Sequence, residues 1–335
     1  MAAIGFVLSH EQFPAPRLLE LSVAAEQAGF DMVWTSDHFH PWMHNQGHAG
    51  HAWITLAALG QRIETIAFGT GVTALSYRYN PALVAQAFAS LGVLYPGRVF
   101  LGVGTGEAVN EKPVTGEWGP WEERAARMVE SIQIIRRLWD GEHVTHEGKY
   151  FQMQNARLYD LPEQPVPIYI SAMGPKTMRI AGEHGDGLIT AANTVTDKEL
   201  INEFREGARS AGKNPDTLPI LAELFVFVGR EQDAQSAAEK WRFLPKTSKY
   251  LDVADPRKIW RMAQNEVPID EVLKTMTISE DPQAHIDRLQ ALIDGGVTHI
   301  FVHSGQEDQQ RVIDFYGRQV LPKLQHEKMM LEVYP

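Results

Sequence analysis

An acid, two imidazoles and an indole stand together in Thr35-Ser36-Asp37-His38-Phe39-His40-Pro41-Trp42. The apolar run Asp31-Met32-Val33-Trp34 before them reads as a buried strand. The cluster therefore falls just past a strand's C-terminal end, where parallel α/β proteins place their chemistry. Pro41 fixes the backbone and keeps a helix from starting freely, so the cluster sits on a shaped loop. An imidazole beside a carboxylate moves protons near neutral pH. Asp37 and His38 are adjacent, so in extended backbone they point to opposite sides. That suits separate tasks, one group holding a ligand and the other facing substrate. The plain alternative is a loop whose histidine and aspartate bond only to backbone.

Other segments offer chemistry of their own. Leu101-Gly102-Val103-Gly104-Thr105-Gly106-Glu107 runs from a strand into alternating glycines and a carboxylate. Glycines let a planar ligand approach the backbone. The third glycine comes one residue too early for the dinucleotide fingerprint. Glu107 is a candidate acid, because an apolar setting raises a carboxyl pKa. Otherwise it caps the following loop. Phe68-Gly69-Thr70-Gly71-Val72-Thr73 also ends a strand in small residues, which either admit a flat ring or relieve crowding inside the fold. In Ile170-Ser171-Ala172-Met173-Gly174-Pro175-Lys176-Thr177 a strand turns at Gly174 into a helix that starts on Pro175. Free N–H groups and the positive helix end make that start an anion site, to which Lys176 and Thr177 add charge and a hydroxyl. An ordinary helix start with a solvated lysine is the competing reading. His40, His44, His48 and His51 invite a zinc reading, but Pro41 and Gly47 break the helix that it needs, and no metal is expected. Lys240, Arg242, Lys246, Lys249, Arg257, Lys258 and Arg261 form a basic stretch that either closes over an anionic substrate or lies on a solvated helix face.

Elements that position these groups alternate along the chain. Strand-like runs are Ile4–Leu8, Met32–Thr35, Thr65–Val72, Val99–Val103, Val166–Ala172, Gly187–Thr190, Pro219–Val228 and Thr298–His303. Between them, apolar residues recur at helical spacing over Pro16–Gly29, Pro81–Leu94, Trp121–Trp139, Pro175–His184, Lys198–Ala211, Ala234–Trp241, Pro282–Gly295 and Gln309–Leu321. Prolines open several of these segments and Gly29 and Gly295 close two. The expectation is a single (β/α)₈ TIM barrel over residues 1–335, with insertions near 142–161 (a hairpin) and 242–277 (partly helical). A doubly wound open sheet is the rival. The net charge of −11 argues against nucleic acid or an anionic membrane as partner. With no cysteine, disulfides, zinc–thiolate sites and thiol nucleophiles are excluded. No charged region precedes the short N-terminal apolar run, and no run is long enough to span a bilayer, so the expected location is the cytoplasm.

Assembled, these segments resemble the F420-dependent dehydrogenases of the luciferase-like superfamily, in the branch of glucose-6-phosphate, hydroxymycolate and secondary-alcohol dehydrogenases. The matching text is Ser36–Trp42, Arg78-Tyr79-Asn80-Pro81-Ala82 with Val84–Ala89, Tyr95-Pro96-Gly97-Arg98-Val99, and Gly102–Glu107 with Asn110-Glu111. The resemblance covers nearly the whole chain. It implies a luciferase-like barrel that binds coenzyme F420, a 5-deazaflavin, through Asp37, Val72, Thr73, Gly106, Glu107 and Asn110. It places the coenzyme phosphate on Ser171, Ala172, Met173, Gly174, Pro175, Lys176 and Thr177, and a non-proline cis peptide at Gly71–Val72. It assigns His38 as the base on a substrate hydroxyl, Glu107 as the proton donor to the ring and Trp42 as the wall of the pocket. Glu11 assists at the floor, and Lys246, Arg257 and Lys258 are candidate substrate contacts.

The implied activity is oxidation of a CH–OH group, in a sugar 6-phosphate or a related alcohol, by a homodimer. One departure stands out. Ile189–Thr194 lacks the lysine that hexose-phosphate members carry after the sixth strand, and their later arginine falls near Thr275. Either the basic insertion rebuilds a phosphate pocket or the substrate is an uncharged alcohol. An FMN-dependent monooxygenase on the same barrel and a non-catalytic deazaflavin carrier are the alternatives.

Overall fold

The computed structural model describes residues 2–324. Eight parallel strands close into a barrel: Ala3–Leu8, Met32–Thr35, Ala67–Thr70, Val99–Gly104, Ile168–Ser171, Gly187–Ala191, Ile220–Val228 and His299–Ser304. The last strand returns to the first, with Ala3 opposite His299 and Phe6 opposite Val302. The open-sheet alternative is thereby excluded, because no barrel strand keeps a free edge.

Strand alternation makes two cores. Ile4, Phe6, Val33, Phe68, Leu101, Ile168, Leu188, Ala222 and Ile300 face outward against the helices. Ala3, Val7, Trp34, Phe100, Tyr169, Ile189, Leu221 and Phe301 fill the lumen. Trp34 and Phe301 stack there at 3.7 Å with an interplanar angle of 8°. The small residues near the third strand serve this packing. A Cβ on Gly71 would lie 2.6 Å from the Trp34 indole, and one on Gly69 2.2 Å from the Phe100 carbonyl. Both glycines thus relieve crowding inside the barrel. The peptide bond Gly71–Val72 is cis.

Helices cover the outer core in the expected places, with Pro81–Leu94, Trp121–Trp139 and Pro175–His184 at the expected bounds. Asn80, Asp197 and Asp281 cap their helices by accepting first-turn N–H groups. Two helices were not expected from periodicity. Ala52–Gly60 is apolar on nearly every side, so it shows no polar face to count. Ala108–Thr115 is short and carries Pro113 near its end. The helix expected over Pro282–Gly295 ends at Asp294, and the left-handed residue that follows is Gly296, at φ +93°, rather than Gly295. The segment expected as one helix over Gln309–Leu321 is helical to Phe315 and then passes through a wider turn at Tyr316–Val320.

Segment 142–161 holds an antiparallel hairpin, Val144–Glu147 with Gln152–Ala156. Segment 242–277 holds the helices Pro256–Glu266 and Ile269–Leu273 and buries Phe243, Tyr250, Ile259, Val267 and Leu273 in one cluster with Trp42 and Val109. This second segment is thus packed onto the loops at the C-terminal mouth of the barrel. Among the described residues no helix is long and apolar enough to cross a membrane.

The lumen stack supplies a stability test. Phe301→Ala would remove the ring from Trp34 and open a cavity beside Phe100, and should cost about 3–5 kcal/mol. Urea unfolding of the variant against the parent checks this; a loss below about 1 kcal/mol would show that the lumen repacks around the gap.

Candidate active site

The proposed base rests on a buried carboxylate. Glu11 follows the first strand and is 3% exposed. Its Oε2 accepts from Ser9 Oγ at 2.9 Å and from Ser36 Oγ at 2.6 Å, and its Oε1 lies 3.7 Å from His38 Nε2. Burial by itself raises the Glu11 pKa, but the nearby His38, the Ser36 hydroxyl and more distant His303 outweigh it and hold the group below its ordinary range. His38 Nδ1 lies 3.1 Å from the His40 carbonyl. A carbonyl only accepts, so Nδ1 carries the proton and a neutral ring keeps its lone pair on Nε2. Trp42 stands 5.7 Å from the His38 ring and stacks on Phe243 at 4.8 Å. The insertion cluster therefore roofs the base.

Across from it, Glu107 is the residue before the helix Ala108–Thr115, in extended backbone, and its side chain makes no capping bond. Gly106, at φ +76°, sets the turn that presents it. Asn110, one turn into the helix, donates from Nδ2 to Glu107 Oε2 at 3.2 Å. Its Oδ1 accepts from the N–H groups of Phe39 at 3.0 Å and His40 at 3.3 Å. One amide thus joins the carboxylate to the loop of the imidazole.

Asp37 points away from His38, as extended backbone requires. Its carboxylate accepts from Thr73 Oγ1 at 2.8 Å and Tyr79 OH at 3.1 Å, and Arg78 Nη2 lies at 3.3 Å. Arg78 Nε also approaches Glu111 Oε1 at 3.4 Å, and Glu111 Oε2 accepts from the N–H groups of Tyr77 and Arg78. Burial pushes the Glu111 pKa up, against the pull of Arg78. Trp53 completes the rim, stacked on Tyr79 at 4.3 Å and donating to Thr73 Oγ1. Val72 lies beside this rim, its Cγ2 at 3.0 Å from where a Cβ on Gly104 would sit.

Ser171 ends the fifth barrel strand, and Ala172 is buried behind it. Met173 is exposed, Gly174 precedes the helix Pro175–His184, and no atom lies within 4 Å of a Cβ built on Gly174. The start of that helix is therefore open to a ligand. Lys176 lies over the Trp121 ring at 5.3 Å and meets Glu122 at 3.4 Å, an exposed pair that a stronger anion can displace. Thr177 follows in the first turn. Open N–H groups, a hydroxyl and a displaceable lysine are the donor set that a phosphate needs.

Of the three basic residues expected at the substrate, two are paired within their own segment and one is exposed. Lys246 donates to the Glu266 carbonyl and faces Glu271, Arg257 is paired with Asp255, and Lys258 is exposed. The loop histidines go to aromatic neighbours, His40 on Phe39, His44 near Trp260 and His51 on Trp53. Sequence reasoning gave no role to Arg78, Glu111, Ser36, His10, Glu223 or His303. Arg78 and Glu111 lie inside family-like text, but nothing in their spacing marks them as partners of Asp37. His10 and His303 carried a signal, since each stands at the C-terminal end of a strand run.

Residues 2–299 match the family model for luciferase-like monooxygenases. The chain is 47% identical over 321 residues to the F420-dependent hydroxymycolic acid dehydrogenase of Mycobacterium tuberculosis, covering 96% of this chain and 88% of that protein. It is 43% identical to the F420-dependent glucose-6-phosphate dehydrogenase of Microbacterium testaceum, covering 96% of both. An F420-dependent secondary alcohol dehydrogenase, solved with an F420–acetone adduct, superposes with a TM-score of 0.91 at 36% identity, over 96% of this chain and 98% of that one.

Two buried histidines set an acid limit on stability. Burial pushes His10 down to about 4, against the opposing pull of Glu11 and Asp37, and pushes His299 down to about 4. Below the ordinary value of 6.5 the unfolded chain takes up protons that these folded rings refuse. Stability should therefore fall as pH drops from 6.5 toward 4, by up to about 1.4 kcal/mol per pH unit for each ring. Urea midpoints at about pH 7 and about pH 5 check the slope, which should flatten in His299→Gln. An unchanged slope in that variant would remove His299 as a source.

Proposed function

The chain belongs to the luciferase-like monooxygenase family, and within it we propose that this protein is a coenzyme F420-dependent dehydrogenase oxidising the CH–OH group of a small alcohol. The names of its relatives support the coenzyme and the reaction class. One observation carries the division of roles: the single amide of Asn110 ties the Glu107 carboxylate to the loop backbone next to His38.

When bound, coenzyme F420 supplies a deazaflavin ring that accepts a hydride from the substrate carbon. His38 takes the hydroxyl proton on Nε2, and the positive charge that appears there faces Glu11. Glu107 holds the proton that balances the reduction. Trp42 and Phe243 cover the pocket and exclude water. Asp37, Thr73 and Tyr79 form a braced edge next to Val72, with Gly106 and Asn110 completing the rim. Ser171 to Thr177 hold the phosphate at the open helix start. Lys246 and Arg257 each stand beside a carboxylate of their own segment and form no preassembled phosphate pocket between them, so an uncharged alcohol is the substrate class proposed. The resemblance adds a homodimer in the cytoplasm to this proposal.

The purified protein should bind F420 and reduce it with an alcohol, without consuming oxygen. His38→Ala and Glu107→Gln should each lower kcat by about 10²–10⁴-fold, and His38→Ala should still bind F420, read by coenzyme fluorescence. Oxygen-consuming turnover with FMN, and none with F420, would overturn the reading in favour of a monooxygenase. Full turnover in either variant would remove that residue from its role.

A further inference from the structure

A second histidine–carboxylate pair lies inside the barrel. Leu221 and Phe301 point into the lumen, while Ala222, Leu224, Ile300 and Val302 face the helices. The two-residue period then puts Glu223, Phe225 and His303 on the inward face, toward the C-terminal mouth. Neighbouring strands bring them level, with Glu223 opposite Phe301 and Phe225 opposite His303. His303 Nδ1 lies 2.8 Å from Glu223 Oε1. An ionised carboxylate only accepts, so Nδ1 carries a proton, and in the neutral form of the ring Nε2 offers a lone pair.

That Nε2 is buried and meets no donor, on a side chain only 4% exposed. The ring cannot turn away to find one. Phe225 lies against it at 4.2 Å, and Trp241 meets it edge-on at 4.5 Å. Trp241 is itself pinned, donating from Nε1 to Gln12 Oε1 at 3.0 Å. Gln12 follows Glu11, the carboxylate behind His38, and Glu11 is close enough for His303 to influence its ionisation. The orphaned acceptor therefore belongs to the same mouth as the proposed base. Leaving a buried acceptor unmet is unfavourable, and a ligand that meets it recovers that cost as affinity.

The chemistry of the pair restricts that ligand. The group must donate a hydrogen, which excludes ionised phosphate, carboxylate and carbonyl oxygens. Glu223 bonds the ring and Glu11 lies within electrostatic reach of it, and both repel anions. Glu223 is 33% exposed on its side chain and has acceptor capacity to spare for a second donor. A neutral hydroxyl meets the first two conditions, its single hydrogen going to His303 Nε2, and the spare acceptor of Glu223 is left for another donor of the same ligand.

We propose that His303, with its Nδ1 proton held by Glu223, accepts at Nε2 from a second hydroxyl of the substrate, so that the alcohol oxidised at His38 carries a further free hydroxyl near its reacting carbon and no charge at that end, as in a diol or a neutral sugar. This deepens the reading of the site as an F420-dependent alcohol dehydrogenase and rests on it. His303 acts here on specificity, while His38 remains the base.

The test compares isopropanol, propylene glycol and glycerol as donors to F420, using kcat/KM ratios. In the parent protein at least one hydroxylated donor should exceed isopropanol by about 10-fold or more, the worth of one well-made hydrogen bond to a buried group. In His303→Leu that ratio should fall to about one. Glu223→Gln, which keeps the shape of the site, should lower it by a smaller factor. F420 affinity, read by fluorescence, shows that each variant is folded. A parent protein that treats all three donors alike, or a His303→Leu variant that keeps the parent's ratio, overturns the proposal while leaving F420-dependent alcohol oxidation intact. Failure to reduce F420 with any alcohol sinks the underlying reading instead.

Discussion

The amide of Asn110 is the constraint on which the site depends. His38 sits on a loop with no regular structure of its own, and a loop alone does not hold an imidazole to the tolerance that proton transfer needs. Three contacts replace the missing ladder. Asn110 takes the N–H groups of Phe39 and His40, the Glu11 carbonyl takes that of His48, and Arg78 donates to the Asp37 carbonyl. Of these, only Asn110 also reaches the opposing acid. Its donor goes to Glu107 and its acceptor to the loop, so each end of the amide fixes the other.

The second requirement is electrostatic. A protein of net charge −11 buries Glu11, Asp37 and Glu111 around one mouth. Each anion is compensated in its own way: Glu11 by two hydroxyls and His38, Asp37 by Thr73, Tyr79 and Arg78, and Glu111 by Arg78 and two backbone N–H groups. Arg78 serves two carboxylates at once, and this is why it is buried although it touches no part of the proposed proton path. Removing one partner from such a buried pair costs about 3–5 kcal/mol, because an uncompensated charge stays behind. The rim proposed for the coenzyme is therefore braced by the same contacts that compensate its charge.

Much of the architecture was legible because barrel strands write themselves plainly. Buried parallel strands are short apolar runs, and capping residues and prolines mark the helices between them. The helix Ala52–Gly60 escaped because it is apolar almost all round, and Ala108–Thr115 because it is short and carries a proline. The strand-end residues of the site were legible too, since Asp37, His38 and Glu107 follow strand runs directly. Arg78, Glu111, Glu223 and His303 were not assigned roles. Their partners lie 33 to 80 residues away in sequence, and no local spacing encodes such a pairing.

The sequence by itself determined which groups stand at strand ends, that Asp37 and His38 must diverge, and that a proline-led helix start offers N–H groups to an anion. These are consequences of local geometry, namely the two-residue period of a strand and the unpaired donors of a first turn. Only the tertiary structure decided that Glu11 backs His38, that Asn110 joins the His38 loop to Glu107, that Lys246 and Arg257 meet Glu266, Glu271 and Asp255, and that a second buried imidazole lies inside the barrel. Closure of the barrel brings the first strand beside the last, and neither strand alone records what its neighbour carries.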